Sequence, residues 1–190
     1  STDNTTSSSD DSSDNSTSTS DNSSSSSSSG SGIFVGVGAS GNIVRSTDNG
    51  LFWDNVTSPT GNSLRGVTFG NNTFVGLGSG NFVRSTDNGS SWDNATSPTG
   101  NYLTGVTFGN NTFVGVGNSG NIVRSTDNGS SWDNATSPTG NYLPGVTFGN
   151  NTFLVVGFSG NIVRSTDNGS SFDNVTSPTA NNLNGVTFSE

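Results

Sequence analysis

The side chains of this sequence that could do acid–base chemistry recur in four copies of one short box. Each box reads Ser-Thr-Asp-Asn-Gly, and its aspartate stands at position 48, 87, 127 or 167, so that the spacings are 39, 40 and 40 residues. A carboxylate can act as a general acid or base if a partner group shares its cleft. A catalytic group is normally unique within its site, whereas this one occurs four times in one local context. We therefore interpret the box as structural.

The box has the composition of a tight turn between two strands. Ser125 and Asp127 carry short polar side chains that can bond to backbone groups of their own turn, and Gly129 can adopt a positive φ. Trp132 then starts the next strand with a large apolar side chain that can fill the space between neighbouring sheets. We expect these roles at all sixteen equivalent positions, which are Ser46, Asp48, Gly50, Trp53, Ser85, Asp87, Gly89, Trp92, Ser125, Asp127, Gly129, Trp132, Ser165, Asp167, Gly169 and Phe172.

One arginine precedes each box by a single residue. Each lies roughly opposite the Trp or Phe of its hairpin, so we expect the guanidinium to stack on that aromatic ring. The arginines hold one repeated position and are not clustered, which favours a structural role; they are Arg45, Arg84, Arg124 and Arg164.

The elements that position these boxes follow from the repeat. A period of about 40 residues is typical of propeller blades and helical arrays. The units are rich in Gly, Asn, Thr, Val and Phe and poor in good helix formers, which excludes the helical arrays. Residues 103–139 contain four strand patterns, at 103–108, 112–117, 121–126 and 130–136, separated by turn residues. The sequence therefore predicts an all-β, four-bladed β-propeller of four-stranded repeats.

The two ends of the repeat region complement each other. Residues 32–38, GIFVGVG, match the second strand of a unit, and residues 183–188, LNGVTF, match the missing first strand. We expect the C-terminal strand to complete the first blade and so protect its open edge. The same strand completing the blade of a neighbouring copy would give a head-to-tail polymer. The repeats are then roughly 32–64 plus 183–190, 65–103, 104–143 and 144–182.

The pattern GVTFGNNTFVGVGxSGNIVRSTDNGSSW resembles the BNR or Asp-box repeat of sialidases and the related repeats of photosystem-assembly propellers. This resemblance covers residues 32–190. It implies a propeller, but a sialidase-like site would also need three clustered arginines and a tyrosine nucleophile beside a glutamate. The only glutamate here is Glu190, at the C-terminus. We therefore expect a non-enzyme with no cofactor and no metal site.

Composition sets further limits. Residues 1–31 contain only Ser, Thr, Asp, Asn and Gly, which predicts a disordered low-complexity tail before the propeller of residues 32–190. A net charge of −9 without Lys or His disfavours nucleic acid and anionic membrane surfaces as partners. The chain has no cysteine and no apolar run long enough to insert into a membrane, and it starts at Ser1. We expect a processed, extracellular protein, secreted or at the cell surface.

The four repeats differ mainly in two connections, the turn after the second strand and the loop after the fourth strand. In an antiparallel meander these connections lie on one face of the disc, so we expect that face to carry any contact surface. Exposed aromatic and arginine side chains are enriched at binding hot spots. The candidate contact residues are Arg65, Tyr102, Tyr142 and Phe158.

The sequence also contains thirteen N-x-Ser/Thr sequons. Three lie in the tail, at Asn4, Asn15 and Asn22. The candidates for glycosylation in the propeller are Asn55, Asn71, Asn88, Asn94, Asn110, Asn128, Asn134, Asn150, Asn168 and Asn174. A chain so rich in Asn, Ser and Thr contains roughly nine sequons by chance, so they permit glycosylation without requiring it.

Three functions are compatible with these features. We expect a non-enzymatic extracellular structural or interaction protein, specifically a self-assembling glycoprotein subunit of a filament or surface coat, with copies of itself or glycans as partners. The alternative is a lectin-like, multivalent carbohydrate-binding propeller, with shallow sugar sites at Tyr102 and Tyr142. The third hypothesis, a glycosidase, lacks a catalytic set.

Overall fold

A computed structural model of the chain describes residues 32–190, and the predicted low-complexity tail lies outside the described residues. The described strands all pair in antiparallel fashion, and single 3₁₀ turns at 39–41, 118–120 and 158–160 are the helical segments found among them. None of the described elements is a helix that could cross a membrane. The strands are β1 (Phe34–Val37), β2 (Ile43–Ser46), β3 (Asp54–Val56), β4 (Leu64–Gly70), β5 (Thr73–Gly78), β6 (Phe82–Ser85), β7 (Asp93–Ala95), β8 (Leu103–Gly109), β9 (Thr112–Gly117), β10 (Ile122–Ser125), β11 (Asp133–Ala135), β12 (Gly145–Gly149), β13 (Thr152–Val156), β14 (Ile162–Ser165) and β15 (Asp173–Val175).

The strands form four sheets in which chain neighbours are spatial neighbours. Sheet 1 has the order β1-β2-β3, sheet 2 β4-β5-β6-β7, sheet 3 β8-β9-β10-β11 and sheet 4 β12-β13-β14-β15. The prediction of an all-β chain with four antiparallel sheets is confirmed, and the arrangement is consistent with a four-bladed propeller. The outermost strand of each sheet is shorter than predicted because the box and the residues after it form the preceding turn.

The glycines of the innermost strands allow neighbouring sheets to approach each other closely. The backbone of Gly105 in β8 lies so near β12 that a Cβ atom there would stand 2.9 Å from the carbonyl oxygen of Pro144. A Cβ at Gly66 would stand 3.1 Å from the carbonyl oxygen of Thr104 in the same way. A side chain at these positions would push the inner strands apart.

The core lies between the sheets. Three clusters of buried side chains join sheet 1 to sheet 2, sheet 2 to sheet 3 and sheet 3 to sheet 4. In the middle cluster, Trp132 of sheet 3 packs against Phe82 of sheet 2 with ring centroids 4.7 Å apart. Sheets 2, 3 and 4 thus each bury an apolar face against the sheet before them, and stability is built from neighbour to neighbour.

The first sheet departs from the prediction. It has three strands, and residues 183–190 form no ladder with β1; they lie beside sheet 4 instead. The backbone N–H of Leu183 donates to the carbonyl of Gly157 at 3.1 Å, and the ring of Phe188 covers Gly149. The prediction that the C-terminal strand completes the first blade of its own chain is therefore not confirmed. Residues 183–190 lie along sheet 4. The four described sheets form an arc that is open between sheet 4 and sheet 1.

Candidate functional site

The box forms a hydrogen-bonded turn in all four sheets, which we call the STDNG turn. In sheet 2 the hydroxyl of Ser85 donates to the Asp87 carboxylate at 2.7 Å, and the N–H of Gly89 donates to that hydroxyl at 2.9 Å. The indole N–H of Trp92 donates to the carbonyl of Gly89 at 3.2 Å. The residue before the glycine has a positive φ in every copy, a conformation that asparagine tolerates. The serine hydroxyl and the aspartate carboxylate of the box thus find their hydrogen-bond partners within their own turn.

Hydrogen bonds to the box aspartates keep them ionised. The hydroxyl and backbone N–H of Ser91, and then the hydroxyl of Ser85, lower the pKa of Asp87 to about 2. The Ser171 and Ser165 hydroxyls lower the pKa of Asp167 to about 2 in the same way. A general acid or base near neutral pH needs the opposite shift. These carboxylates therefore act as acceptors that hold the turn together.

The remaining two box aspartates follow the same trend. The backbone N–H of Phe52 and the hydroxyl of Ser46 lower the pKa of Asp48. At Asp127 burial favours the neutral form, but the bonds from Ser131 and Ser125 outweigh it, and the pKa is lowered. All four copies are thus specialised for the same structural task.

Two of the four repeated arginines join neighbouring sheets, whereas the buried Nε of Arg124 has no hydrogen-bond partner among the described residues. Arg45 of sheet 1 donates from Nε to the carbonyl of Asn88 in the STDNG turn of sheet 2, at 2.6 Å. Arg84 makes the same bond to Asn128 of sheet 3, at 3.1 Å. The predicted stacking on the aromatic residue of the same hairpin is wrong, because among residues 32–190 an arginine lies over a ring only at Arg65. The guanidinium groups of Arg45 and Arg84 bond instead to a backbone carbonyl in the turn of the next sheet.

A small hydrophobic contact completes each junction between sheets. The glycine of the STDNG turn lies against a valine of the preceding sheet, so that a Cβ at Gly89 would stand 3.0 Å from Val35 and one at Gly129 would stand 2.7 Å from Val75. At the third junction a Cβ at Gly169 would stand 2.8 Å from Val114. Every junction therefore contains a turn from one sheet and the second strand of the sheet before it.

Sheet 1 presents its half of this junction without a partner among the described residues. Trp53 is 46% exposed, whereas the equivalent Trp92 and Trp132 are each 6% exposed. No heavy atom of the described chain lies within 4 Å of the place that a Cβ at Gly50 would take. We call the uncovered face of sheet 1, formed by Phe34, Gly50, Leu51, Phe52 and Trp53, the leading end of the arc.

The leading end carries a substitution that the sequence reading missed. The residues between the box glycine and the aromatic residue are Leu51 and Phe52 in the first repeat, where the other three repeats have two serines. Both side chains are 77% exposed. Comparing the repeats position by position would have revealed this change. It places additional apolar surface on the one sheet whose junction face is open.

Sheet 4 presents the other half of the junction. Leu154 holds the position of Val75 and Val114, which are fully buried, yet it is only half-buried. Arg164 is exposed, whereas the three equivalent arginines are half-buried. Residues 183–190 lie along this sheet, and Phe188 is exposed. We call this face of sheet 4, with residues 183–190, the trailing end.

The predicted contact residues lie together on the face that carries the variable connections. Backbone hydrogen bonds join the two variable connections directly, from the N–H of Asn118 to the carbonyl of Tyr102 at 2.8 Å and from Phe158 to Tyr142 at 2.9 Å. The Arg65 guanidinium lies 5.8 Å from the centre of the Tyr102 ring. The Tyr142 and Phe158 rings meet edge to face, with centroids 5.0 Å apart.

A shallow groove runs between these residues. Its volume is about 420 Å³, and it is lined by Arg65, Tyr102, Thr104, Asn118 and Tyr142. The phenol of Tyr142 donates to the Thr104 hydroxyl at 3.1 Å. Side chains of two successive repeats therefore form one groove, whereas the sequence predicted a separate shallow site on each blade.

Several sequon asparagines are engaged in hydrogen bonds. The amide nitrogen of Asn71 donates to the side chain of Asn128, and Asn110 donates to Asn168 in the same way. These bonds join successive sheets on the face of the constant turns. On the outer strands, the Asn94 amide donates to the carbonyl of Pro59. Asn134 makes the equivalent bond to Pro98. The side chains of Asn55, Asn150 and Asn174 are exposed and make no hydrogen bond within the described residues.

Residues 32–190 contain no cluster of three or more carboxylates that could hold a metal ion. The box aspartates and the repeated arginines are distributed one to a sheet, so the structure does not bring them together in one cleft. Glu190, the only glutamate, lies at the exposed end of the chain.

Comparison of the sequence with protein-family models and with curated proteins finds no match. Comparison of the fold with solved structures finds β-propellers. A structure of YCF48 bound to D1 peptide has a TM-score of 0.62 and 18% identity, over 81% of this chain and 53% of that chain. A catalytically inactive virginiamycin B lyase from Staphylococcus aureus, with quinupristin, has a TM-score of 0.64 and 23% identity, over 80% and 58%. The computationally designed Ika8 protein has a TM-score of 0.65 and 10% identity, over 84% and 52%.

This chain thus spans about half the length of these three propellers. The likeness establishes the propeller fold. Propellers of this kind include enzymes and other proteins, so the fold by itself assigns no reaction.

Proposed function

We propose that this chain is a non-enzymatic, extracellular structural protein that assembles with copies of itself through the two ends of its arc. The observation that carries the proposal is the exposure of Trp53, whose equivalents in sheets 2 and 3 are buried in a junction with the preceding sheet. A large apolar side chain left uncovered in this way marks an interaction surface. The repeated box is the Asp-box of the resemblance, used here as a staple of the turn.

The two ends are complementary because the repeats are nearly identical. The leading end offers Gly50 and the carbonyl of Asn49. Their equivalents contact a valine at all three internal junctions and accept an arginine hydrogen bond at the first two. The trailing end offers the matching side chains, Leu154 and Arg164. A second copy can therefore continue the arc with the contacts that already join its sheets.

The exposed side chains of Leu51 and Phe52 at the leading end would stabilise this contact further. At the junction between sheets 3 and 4, the parallel bridge between Thr136 and Ser171 places the residue before the aromatic position beside the outer strand of the preceding sheet. The equivalent residue of the leading end is Phe52, and its neighbour in a second copy would be Thr176, next to the exposed Val175. Burial of an exposed Phe side chain contributes about 1.5 to 3 kcal/mol.

A head-to-tail contact closes into a ring if the rotation between copies completes a circle, and otherwise extends into a filament. The arc covers about half of the propellers that it matches, which favours a ring of two copies. A filament or surface coat is the second form of the same contact. Glycans fit this role at Asn55, Asn150 and Asn174, where the side chains are exposed.

Light scattering on the purified chain tests the proposal. We expect a particle of twice the chain mass of 19.3 kDa. The double variant Leu51→Ser and Phe52→Ser restores the residues of the other repeats, and we expect it to shift the equilibrium toward single chains. Tyr102→Ser removes an exposed aromatic side chain from a different part of the surface and serves as the control. A wild-type chain that stays monomeric at all concentrations would sink the proposal.

The groove around Tyr102 and Tyr142 supports a second candidate function, carbohydrate binding. Aromatic rings with nearby hydroxyl, amide and guanidinium groups are suited to a sugar, whose apolar face stacks on a ring while its hydroxyls bond to polar groups. We expect Tyr102→Ala and Tyr142→Ala each to abolish binding on a glycan array. Arrays that show no ligand for the wild-type chain would remove this candidate.

A further inference from the structure

We propose that residues 183–189 of one copy form the missing innermost strand of sheet 1 in a second copy. This inference rests on the proposed self-assembly and specifies its mechanism, which is strand addition with a defined register. It assigns a partner to a segment that lies on sheet 4 of its own chain but belongs to no sheet.

The segment already occupies the position of an innermost strand. The Leu183 N–H bonds to the carbonyl of Gly157, the last residue before the turn of sheet 4. Leu64 bonds to Gly38 in the same way at 3.0 Å, and Leu143 bonds to Gly117 at 3.0 Å. In both of those cases the leucine begins the inner strand region of the following sheet. The trailing end thus presents the first strand of a fifth sheet without its remaining strands.

Phe188, the aromatic residue of the segment, also occupies the position that its equivalents have in the other sheets. Phe108 of sheet 3 covers Gly70 of sheet 2, and Phe148 of sheet 4 covers Gly109 of sheet 3. Phe188 covers Gly149 of sheet 4 in the same manner. The segment is therefore held in place before any second strand pairs with it.

The acceptor edge is the open side of β1. In complete sheets the glycine at the end of the second strand touches the start of the first strand, so that a Cβ at Gly117 would overlap the carbonyl of Tyr102. Gly38, the equivalent residue of sheet 1, has only the Asn42 side chain within 4 Å of such an atom among the described residues. No other strand of residues 32–190 pairs with this side of β1, which is a surface that favours pairing with another strand.

The internal repeats fix the register of the added strand. In sheet 2, Leu64 pairs with Gly78, Thr68 with Val75 and Phe69 with Phe74. Sheet 3 repeats these pairs. Transfer to the equivalent residues predicts the intermolecular pairs Leu183–Gly38, Gly185–Val37, Val186–Gly36, Thr187–Val35, Phe188–Phe34 and Ser189–Ile33.

The predicted register also pairs two exposed aromatic side chains. The equivalent phenylalanines stand with ring centroids 4.6 Å apart in sheets 2 and 3 and 4.7 Å apart in sheet 4. Phe34 and Phe188 are 49% and 40% exposed. Strand addition would bring them together in the arrangement that the other three sheets show.

Disulfide trapping tests the register in a chain that has no cysteine of its own. Val35→Cys in one preparation and Thr187→Cys in a second are mixed under mild oxidation. We expect a cross-linked product of two chains, because directly paired Cα atoms are within disulfide reach. Val35→Cys mixed with Ser189→Cys is the control. Its residues are diagonal neighbours two positions apart, about 7 to 8 Å from each other, and we expect the product to be lost.

Light scattering of the same preparations under reducing conditions separates the inference from the proposed function. Two-chain particles without the matched cross-link would overturn strand addition and leave self-assembly intact. Single chains throughout would overturn both. In the double variant Val35→Cys, Thr187→Cys, we expect linkage between chains. A cross-link within single chains would show that the segment closes its own sheet and would overturn the inference.

Discussion

Three serines hold the carboxylate of Asp87 by hydrogen bonds. Ser85 and Ser91 donate from their hydroxyls at 2.7 and 2.6 Å, and Ser90 and Ser91 donate from their backbone N–H groups. The carboxylate can accept all of these bonds only in its ionised form. The box is repeated because each turn needs its own charged hydrogen-bond acceptor.

This arrangement makes the stability of the fold depend on pH. The pKa of Asp87 and of Asp167 is about 2 in the folded chain, below the ordinary value of 3.8. As the pH falls the unfolded chain binds protons first, so the contribution of these groups is complete above about pH 4 and is lost toward about pH 2. Because the carboxylates are exposed to solvent, each contribution is modest.

We expect Ser91→Ala to lower the Tm most above about pH 4 and to differ little from wild type near pH 2, where the carboxylate is protonated in both chains. The reason is that this variant removes the hydroxyl donor with the largest effect on the pKa of Asp87. Thermal melts followed by circular dichroism across this range check it. Ser90→Ala, whose side chain makes no bond to Asp87, is the matched control. A deficit in Tm that is the same at every pH would contradict this role.

At the scale of elements, the glycine that ends each second strand controls whether the first strand can pair. In sheet 3 the backbone of Tyr102 and Leu103 lies against Gly117 and leaves no room for a side chain. Gly140, in the loop after the fourth strand, has open space around it, and the fourth repeat has Ala180 there. Two glycines of one repeat thus have different structural requirements.

We expect Gly117→Ala to lower the free energy of unfolding by about 1 to 3 kcal/mol, because the added methyl group forces the inner strand away. Gly140→Ala is the control, and we expect a change within about 0.5 kcal/mol. Urea unfolding curves of both variants provide the measurement. Equal effects of the two substitutions would refute the argument from close backbone approach.

At the scale of the whole molecule, the arc combines buried internal junctions with uncovered ends. The proposed second copy would bury Trp53, Leu154 and Arg164 in a junction. The predictions of a two-chain mass and of the Val35–Thr187 cross-link belong to this scale. Both depend on the repeats being similar enough for one chain to supply either half of the contact.

Local chemistry explains which predictions were confirmed. The strands at 103–108, 112–117 and 121–126 were found within a residue or so of their predicted ends, because alternation and turn residues act over short distances. The stacking predicted for the arginines was wrong, since the carbonyls that bind Arg45 and Arg84 lie more than forty residues away. The substitution of Leu51 and Phe52 for two serines can be read from the sequence. Only the exposure of Trp53 beside them indicates an interaction surface.

The sequence by itself determined the strand period, the STDNG turn and the order of the sheets, because each depends on residues that are close together in the chain. Only the tertiary structure decided that the arc stays open, that the C-terminal segment lies on sheet 4 and that Arg65, Tyr102 and Tyr142 share one groove. The physical reason is that nearly identical repeats make nearly identical junctions. Such a sequence specifies how one sheet meets the next, and the accumulated geometry of the junctions determines whether the last sheet meets the first.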